Sequence, residues 1–464
     1  MRYMEMQELF RRQSERSLQL RSETASARIK KLQQIRDWIK VNRQGLQEAL
    51  YLDFQKPHVE TDLTEYYLVK SEIDLAIKNI SKWMKPESVK TPITLIGSRS
   101  SIIFEPKGVC LIIAPWNYPF SLLIAPLVSA IAAGNTVFLK PSEITSNTSK
   151  LISRMIDSLF EKEEVVVYEG GHEISTALLG LPFDHIFFTG SPRVGKIVMA
   201  AASKNLASIT LELGGKSPNL IDETADLNDA VEKTVFNKFL NAGQTCIAPD
   251  YVLVHSAVHD DFVALLKNRI EEVYCGNDKD LAGISSQKHF DHLIGLRENA
   301  TSNGASVETA GDANEEDLRL APTLLTGITA EMTIMQEEVF GPILPIMKMD
   351  SLEDAIEFIN ARPKPLALYF FSRNKTAIKR VISSTSSGGV CINDGNIHFS
   401  NNHLPFGGVS KSGIGRSHGY FGFKAFSNEK AILKQRIGQT SLKVLYPPYT
   451  KKVKKYVEML LKWL

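Results

Sequence analysis

One cysteine of the sequence has the setting of a nucleophile. Cys246 closes the stretch Asn-Ala-Gly-Gln-Thr-Cys at 241–246, a glycine-containing turn directly after the apolar run 235–240. A thiol attacks carbon as its thiolate, so this role requires a nearby helix N-terminus, base or cation that lowers the thiol pKa. The alternative is a buried structural cysteine, because free cysteines often behave as small core hydrophobes.

A carboxylate and an amide could act with that thiol. Alternation along the predicted strand 208–213 puts Glu212 on the face opposite its leucine neighbours, and two glycines follow. A partly desolvated carboxylate there would have a raised pKa and suit a general base, with a salt bridge to a lysine as the alternative. Asn117 lies in the turn 114–120 between two prolines. Its amide could stabilise an oxyanion, or simply brace the loop.

The elements that position these residues form an alternating pattern. Predicted strands lie at 109–113, 136–139, 165–168, 185–188 and 208–213, and predicted helices at 121–133, 146–160, 173–179 and 192–204. Right-handed crossovers between such strands give a doubly wound parallel sheet, and ligands bind at the carboxyl ends of its strands.

Two turns at those carboxyl ends could bind a nucleotide. Gly190 and Gly195 flank Ser191, a predicted N-cap, and a helix N-terminus there would favour a phosphate. The G-x-x-x-x-G spacing is a weak motif, and a well-capped structural helix is the alternative. Lys140 and Glu143 follow the second strand. They could bind ribose hydroxyls, although by themselves they favour a surface ion pair.

Composition narrows the class of protein. The chain has 464 residues, which predicts two or three domains, and 54 Lys+Arg against 52 Asp+Glu give no basic footprint for nucleic acid. Four widely spaced cysteines without a C-x-x-C pair, and an N-terminal segment 1–31 without an apolar signal region, predict a reduced, cytoplasmic protein. The histidine pairs 255/259 and 289/292 have no third ligand, so we expect solvated or capping histidines and no metal.

Several long motifs, in this order, resemble those of the NAD(P)-dependent aldehyde dehydrogenase superfamily. The resemblance rests on the stretches 115–119, 140–143, 188–191, 211–218, 239–249, 337–342 and 405–408. The amino-acid sequence of 238–251 and the tail motif Tyr446-Pro-Pro-Tyr449 resemble those of the class 3, fatty or aromatic aldehyde branch.

The resemblance implies a role for each of these residues. Cys246 would be the nucleophile, Glu212 the general base, and Asn117 an oxyanion donor, in the oxidation of an aldehyde to a carboxylic acid through a thiohemiacetal and a thioester. The implied cofactor-binding residues are Trp116, Lys140, Glu143, Gly190, Ser191, Gly195, Glu338 and Phe340. The family often has Thr where this chain has Pro192. NAD is the favoured cofactor, because Glu143 would repel a 2′-phosphate, and NADP is the alternative since Lys140 could attract one.

The resemblance also implies a domain layout. A Rossmann-like dinucleotide-binding domain would comprise 1–87 and 108–213, and an α/β catalytic domain 214–415. A small β bridging and oligomerisation element would comprise 88–107 and 416–440, with strands at 92–97 and 101–105 forming a hairpin. A homodimer is expected. The remaining residues, 441–464, would form a C-terminal tail.

The tail ends in a predicted basic amphipathic helix over 451–464, with Val453, Tyr456, Val457, Leu460 and Leu464 on one face. Packing on protein is its favoured fate, and weak peripheral contact with an anionic membrane is the alternative. Two rival functions stay open: a cysteine hydrolase without a nucleotide, and a catalytically silent binding protein.

Overall fold

The computed structural model describes residues 2–276, 278–309, 313–438 and 440–463. Its helices are α1 Arg2–Leu20, α2 Ala25–Val41, α3 Arg43–Phe54, α4 His58–Thr61, α5 Tyr67–Trp83, α6 Ser121–Ala133, α7 Ser146–Leu159, α8 His172–Leu179, α9 Pro192–Ser203, α10 Leu227–Phe239, α11 His259–Tyr274, α12 Gln287–Ser302, α13 Thr333–Gln336, α14 Leu352–Asn360, α15 Lys375–Ser384, α16 Gly419–Ala425 and α17 Lys451–Trp463. Its strands are β1 Glu87–Val89, β2 Arg99–Pro106, β3 Val109–Ile113, β4 Thr136–Lys140, β5 Val165–Val167, β6 His185–Gly190, β7 Ser208–Leu213, β8 Pro218–Ile221, β9 Tyr251–His255, β10 Ser306–Thr309, β11 Ala313–Asn314, β12 Arg319–Leu320, β13 Thr323–Thr326, β14 Ile343–Met349, β15 Ala367–Phe371, β16 Gly389–Ile392, β17 Gly413–Ile414 and β18 Ser427–Lys434.

The first sheet confirms the predicted doubly wound architecture. Its strand order is β17-β7-β6-β3-β4-β5, with every pair parallel except β17 against β7. Alternate residues of β3 belong to different cores, since Leu111 packs with one hydrophobic cluster and Ile112 with another. The sheet is therefore covered by helices on both faces, and its central strand β3 is buried and apolar throughout, as is usual for a strand in a parallel sheet.

A second α/β sheet follows after a four-residue connection. Its order is β10-β13-β14-β9-β8-β15-β16, and only β10 pairs antiparallel. The chain leaves β7 of the first sheet and enters β8 of the second through residues 214–217. The later strand β17 returns to the first sheet and pairs Gly413 with Glu212. The end of β7 consequently lies where the two sheets meet.

The small third sheet corrects one sequence prediction. Residues 92–97 do not form a strand: Ile93–Leu95 is a 3-10 turn in which Leu95 N–H donates to the Pro92 carbonyl. Proline starts this turn well because its φ is already fixed. The antiparallel partner of β2 is instead β1, and β18 pairs along the other edge of β2, as expected for the bridging element.

The C-terminal helix leaves much of its apolar face uncovered in the single chain. Tyr456 and Val457 are each 39% exposed, whereas Val453 and Leu460 are half-buried. Leu464, which the sequence places on the same face, lies outside the described residues. No helix in the described part of the chain has the length and apolar content needed to span a bilayer.

Helix α7, which follows the Lys140 turn, is fixed to α3 by one carboxylate. Asp53 accepts hydrogen bonds from the backbone N–H and the side-chain amide of Asn147. It also accepts from the backbone N–H and the hydroxyl of Thr148. These groups lie in the first turn of α7, where helical N–H donors have no partner within the helix, so Asp53 caps the helix from outside.

Replacing Asp53 by alanine should therefore destabilise the fold. We expect Asp53→Ala to lower the free energy of unfolding by about 2–3 kcal/mol, because it removes a charged cap and leaves buried donors unsatisfied. Urea denaturation measures this change. Asp157→Ala, which removes an exposed carboxylate of the same helix, is the matched control, and an equal effect of both variants would contradict the capping role.

Candidate active site

The cysteine lies at the end of a left-handed turn. Asn241 and Ala242 have φ values of 57° and 53°, and Gly243 follows with φ 72°. A Cβ at Gly243 would lie 2.3 Å from the Gly341 carbonyl oxygen. Both the positive φ and this close approach to a residue distant in sequence demand glycine at 243.

Hydrogen bonds fix this turn at both ends. Asn241 N–H donates to the Glu60 carboxylate at 2.9 Å. The side-chain amide of Gln244 donates to the Gly283 carbonyl at 2.9 Å and accepts from Ser285 N–H at 3.0 Å. The nucleophile candidate is consequently held by groups from the N-terminal helices and from the second α/β unit.

Asn117 is part of the same network. Its Nδ2 donates to the Gln244 carbonyl at 3.0 Å, and its own carbonyl accepts from Asn241 Nδ2 at 3.0 Å. The next residue, Tyr118, shares a 2.6 Å hydrogen bond with the hydroxyl of Thr245. The proline-bracketed turn is thus bonded to the residues directly before Cys246, and Asn117 is only 2% exposed.

A buried ion pair supports both turns. Lys56 Nζ lies 3.3 Å from Glu65 Oε1, with both side chains fully buried, and 4.1 Å from the centre of the Tyr118 ring. The other Glu65 oxygen accepts from Ser121 N–H at 2.7 Å. Burial raises the pKa of the nearby Glu60 carboxyl to about 7. No sequence pattern points to these residues, because Glu60 precedes its partner Asn241 by 181 positions.

Glu212 is buried at the end of β7, as predicted. Its Oε1 accepts from the Ser417 hydroxyl at 3.0 Å, while Oε2 is buried without a hydrogen-bond partner among the described residues. Burial raises the pKa of this carboxyl to about 8. The salt-bridge alternative is wrong, because Lys216 bonds instead with Asp250 and two main-chain carbonyls.

A cleft of about 610 Å³ gathers most of the predicted site residues at the carboxyl ends of β6 and β7. Its lining includes the predicted Trp116, Asn117, Gly190, Ser191, Glu212, Cys246, Glu338 and Phe340. Glu338 reaches the cleft across Gly214, where a Cβ would lie 2.1 Å from Glu338 Oε2. The absence of a side chain at Gly214 therefore allows a close approach by a carboxylate.

Three predicted cofactor residues do not line this cleft. Lys140 is 2% exposed and donates to the Pro141 carbonyl at 2.7 Å, with Glu143 at 3.3 Å, so the surface ion pair is wrong for the lysine. Gly195 faces Leu213, whose Cδ2 would lie 2.7 Å from an added Cβ. This glycine lets α9 pack closely on β7. A cofactor contact for these three residues stays a prediction.

His289 was wrongly expected to be solvated or capping. Its Nε2 lies 2.8 Å from the carbonyl oxygen of Phe340, and its ring centre lies 5.6 Å from that of Trp116. Phe340 has φ 52°, so the histidine braces a left-handed residue that lines the cleft. Within the described ranges no three His, Cys, Asp or Glu side chains form a metal-binding group. The expectation of no metal stays a prediction.

A second, apolar cavity of about 970 Å³ also ends at the cysteine. Its apolar lining comes from Leu63, Tyr67, Leu68, Leu122, Phe236, Leu240, Ile397 and Phe399. Cys246 lines both this cavity and the cleft. A thiol that lines both the cleft and the apolar cavity can meet a cofactor from one side and an apolar substrate from the other.

Comparison with known proteins decides the family. A model described as the aldehyde dehydrogenase family matches residues 4–432. The chain belongs to this family. It is accordingly an oxidoreductase that converts aldehydes to carboxylic acids with NAD(P) as the electron acceptor, and the resemblance found in the motifs is confirmed.

Its relatives include members of the class 3 branch. The chain described here is 46% identical over 434 residues to 4,4′-diaponeurosporen-aldehyde dehydrogenase of Staphylococcus aureus. The alignment covers 92% of this chain and 93% of that protein. It is 44% identical over 447 residues to mouse aldehyde dehydrogenase family 3 member B3, covering 96% and 91%.

Solved structures of other dehydrogenases have the same fold. The substrate-bound state of Staphylococcus aureus AldH superposes with a TM-score of 0.94 at 43% identity, covering 98% of this chain and 99% of that one. Betaine aldehyde dehydrogenase of Staphylococcus aureus in complex with NAD⁺ gives a TM-score of 0.83 at 30% identity, covering 93% and 87%.

The pKa of the Cys246 thiol in this aldehyde dehydrogenase is shifted in the direction opposite to that expected from the sequence. Burial raises the pKa of Cys246 well above its usual range, and the carboxylates of Glu338 and Glu212 raise it further. The backbone N–H groups of Cys246 and Ile247 act in the opposite direction. The expected lowering of the pKa is wrong for the chain alone, because burial has the largest effect and the neighbouring side chains are acidic rather than cationic.

Alkylation should report this raised pKa. Without cofactor at pH 8, we expect iodoacetamide to modify Cys246 at least about tenfold more slowly than the exposed Cys275, since the reactive species is the thiolate. Mass spectrometry of the two peptides measures both rates in one sample. Modification of Cys246 at pH 8 as fast as that of Cys275 would contradict the raised pKa.

Proposed function

We propose that the chain oxidises medium- or long-chain aliphatic or aromatic aldehydes, with NAD as the favoured acceptor, through a thioester on Cys246. The observation that carries this proposal is the position of Cys246 on the lining of both the cleft that holds Glu212, Glu338 and Ser191 and the apolar cavity. The apolar lining suits a hydrocarbon substituent, which gains free energy as it leaves water.

Cys246 acts as the nucleophile. Its thiolate adds to the aldehyde carbon and gives a thiohemiacetal oxyanion. Asn117 Nδ2 has two hydrogens, and since only one is needed for the Gln244 carbonyl, the other can stabilise this oxygen together with the Cys246 N–H. The rigid network around Asn117 means that little reorganisation accompanies the reaction.

The cleft fits a dinucleotide. Gly190 and Ser191 line it at the start of α9, where helical N–H groups favour a phosphate. Trp116, Glu338 and Phe340 would hold the nicotinamide end, with Lys140 and Glu143 on the ribose of the adenine side. When bound, NAD⁺ supplies the acceptor for the hydride that leaves the thiohemiacetal carbon. Glu143 disfavours a 2′-phosphate and so favours NAD, although the buried Lys140 leaves NADP as the alternative.

Glu212 acts as the general base for hydrolysis. Its Oε2 has no partner among the described residues and can accept a proton from water. The resulting hydroxide attacks the thioester carbon, the C–S bond breaks, and the carboxylic acid leaves. Since burial raises the pKa of Glu212 to about 8, the fraction of active carboxylate increases as the pH rises towards 8.

These roles can be tested by monitoring the absorbance of the reduced cofactor as it forms. Cys246→Ala should abolish turnover of medium-chain and aromatic aldehydes with both NAD and NADP. Glu212→Gln should retain the first turnover but slow thioester hydrolysis by about 10²–10⁴-fold, because the base is lost. Normal turnover by Cys246→Ala would contradict the proposal, and ester hydrolysis without any response to nucleotide would favour the cysteine hydrolase.

We also propose a cytoplasmic homodimer whose C-terminal helix makes weak peripheral contact with anionic membranes. The partly uncovered apolar face of α17 supports this contact, as do lysines at 451, 452, 454, 455 and 462. Each lysine near an anionic surface contributes about 1 kcal/mol. Packing of the same face on a partner subunit is the alternative.

Sedimentation with vesicles distinguishes the two fates of the helix. The full chain should sediment with vesicles that contain phosphatidylserine, less so at high salt, and not with phosphatidylcholine alone. Deleting residues 451–464 should remove the binding without loss of aldehyde oxidation. Unchanged sedimentation after the deletion would refute membrane contact through this helix.

A further inference from the structure

Ser417 is the hydrogen-bond donor on the carboxylate of Glu212. Its Oγ lies 3.0 Å from Glu212 Oε1, and the two residues are 8% and 6% exposed. The hydroxyl therefore fixes one carboxylate oxygen and leaves Oε2, the oxygen without a partner among the described residues, for another ligand. None of the motifs that identify the family includes Ser417.

The backbone around Ser417 is held on two sides. Ser417 and Phe406 exchange N–H to carbonyl hydrogen bonds of 2.7 and 3.2 Å. Gly419 N–H donates to the buried Glu72 carboxylate at 2.9 Å, which attaches the same segment to α5. Ser417 thus presents its hydroxyl from a fixed backbone, as a residue must if it is to orient another side chain.

The backbone of Glu212 is fixed as well, by β17. Gly413 pairs with Glu212, and Leu213 N–H donates to the Ser412 carbonyl at 3.1 Å. A Cβ at Gly413 would lie 2.4 Å from the Leu211 carbonyl oxygen, so this strand approaches very closely. The remaining freedom of Glu212 is rotation of its side chain, which is what the Ser417 hydrogen bond restrains.

Other charged groups around Glu212 do not replace this bond. Arg416 lowers the pKa of Glu212 through space, but its guanidinium donates to the main-chain carbonyls of residues 408 and 415. Cys246, Glu72 and His418 line the same interior cavity as Glu212. Burial lowers the pKa of His418 to about 4, so its ring is neutral at physiological pH.

We propose that Ser417 is a positioning residue that holds the Glu212 carboxylate with Oε2 free for the hydrolytic water. The inference rests on the proposed role of Glu212 as the general base. The hydroxyl donates to the charged form of the carboxylate and so favours it over the protonated form.

Removal of the hydroxyl tests the proposal. For Ser417→Ala we expect the rate of thioester hydrolysis at pH 7 to fall about tenfold, and its pH midpoint to rise by about one unit. The first turnover and the KM for aldehyde should stay unchanged, and Ser417→Thr should restore the wild-type midpoint. Single-turnover decay of the acyl-enzyme formed from p-nitrophenyl acetate, followed against pH, measures the effect.

Ser427→Ala is the matched control, because it also removes a buried serine hydroxyl. That hydroxyl donates to the Phe423 carbonyl at 2.7 Å and not to Glu212. Its pH midpoint should not move. If Ser417→Ala does not fold, Ser417→Cys keeps the size with a weaker donor and should give a smaller upward shift. An unchanged midpoint in the folded Ser417 variants, while Glu212→Gln is defective, would overturn the positioning role alone. Wild-type hydrolysis by Glu212→Gln would instead overturn the proposed base.

Discussion

The site depends on hydrogen bonds between the turn 241–246 and segments that are distant from it in the sequence. Asn241 is anchored by Glu60, and Gln244 by Asn117 and by the segment around Gly283. The turn has left-handed backbone conformations that cost free energy unless the surroundings impose them. Because each anchor comes from a different part of the chain, the cysteine reaches its position only when those parts have packed together.

Burial around this turn sets the chemistry. It raises the pKa of Glu212 to about 8 and that of Glu338 to about 8, and it raises the pKa of the thiol further still. In water these groups would be two carboxylates and an ordinary thiol. In the interior the raised pKa values keep a larger fraction of each group protonated at a given pH. General-base catalysis is most efficient when the pKa of the base lies near the working pH.

Close backbone contacts let the two sheets share the site. Gly214 admits Glu338 from the second unit to the end of β7, and Gly413 admits β17 against the same strand. Side chains at these positions would separate Glu212 from the cleft or from Ser417. The arrangement joins a nucleotide-type sheet and an apolar cavity at one point, where Cys246 lines both the cleft and the cavity.

The sequence by itself determined the local elements and the family. Short β-branched runs that alternate with helical patterns predicted the strands of the first sheet, and long contiguous motifs singled out Cys246, Glu212 and Asn117 as candidate site residues. Tertiary structure alone decided which distant groups reach them. Ser417 is 205 positions from Glu212, Glu60 is 181 positions from Asn241, and Glu65 is 56 positions from Ser121. Single polar residues carry no periodic signal, and the pKa of a thiol or carboxyl depends on burial and neighbours that exist only in the folded chain.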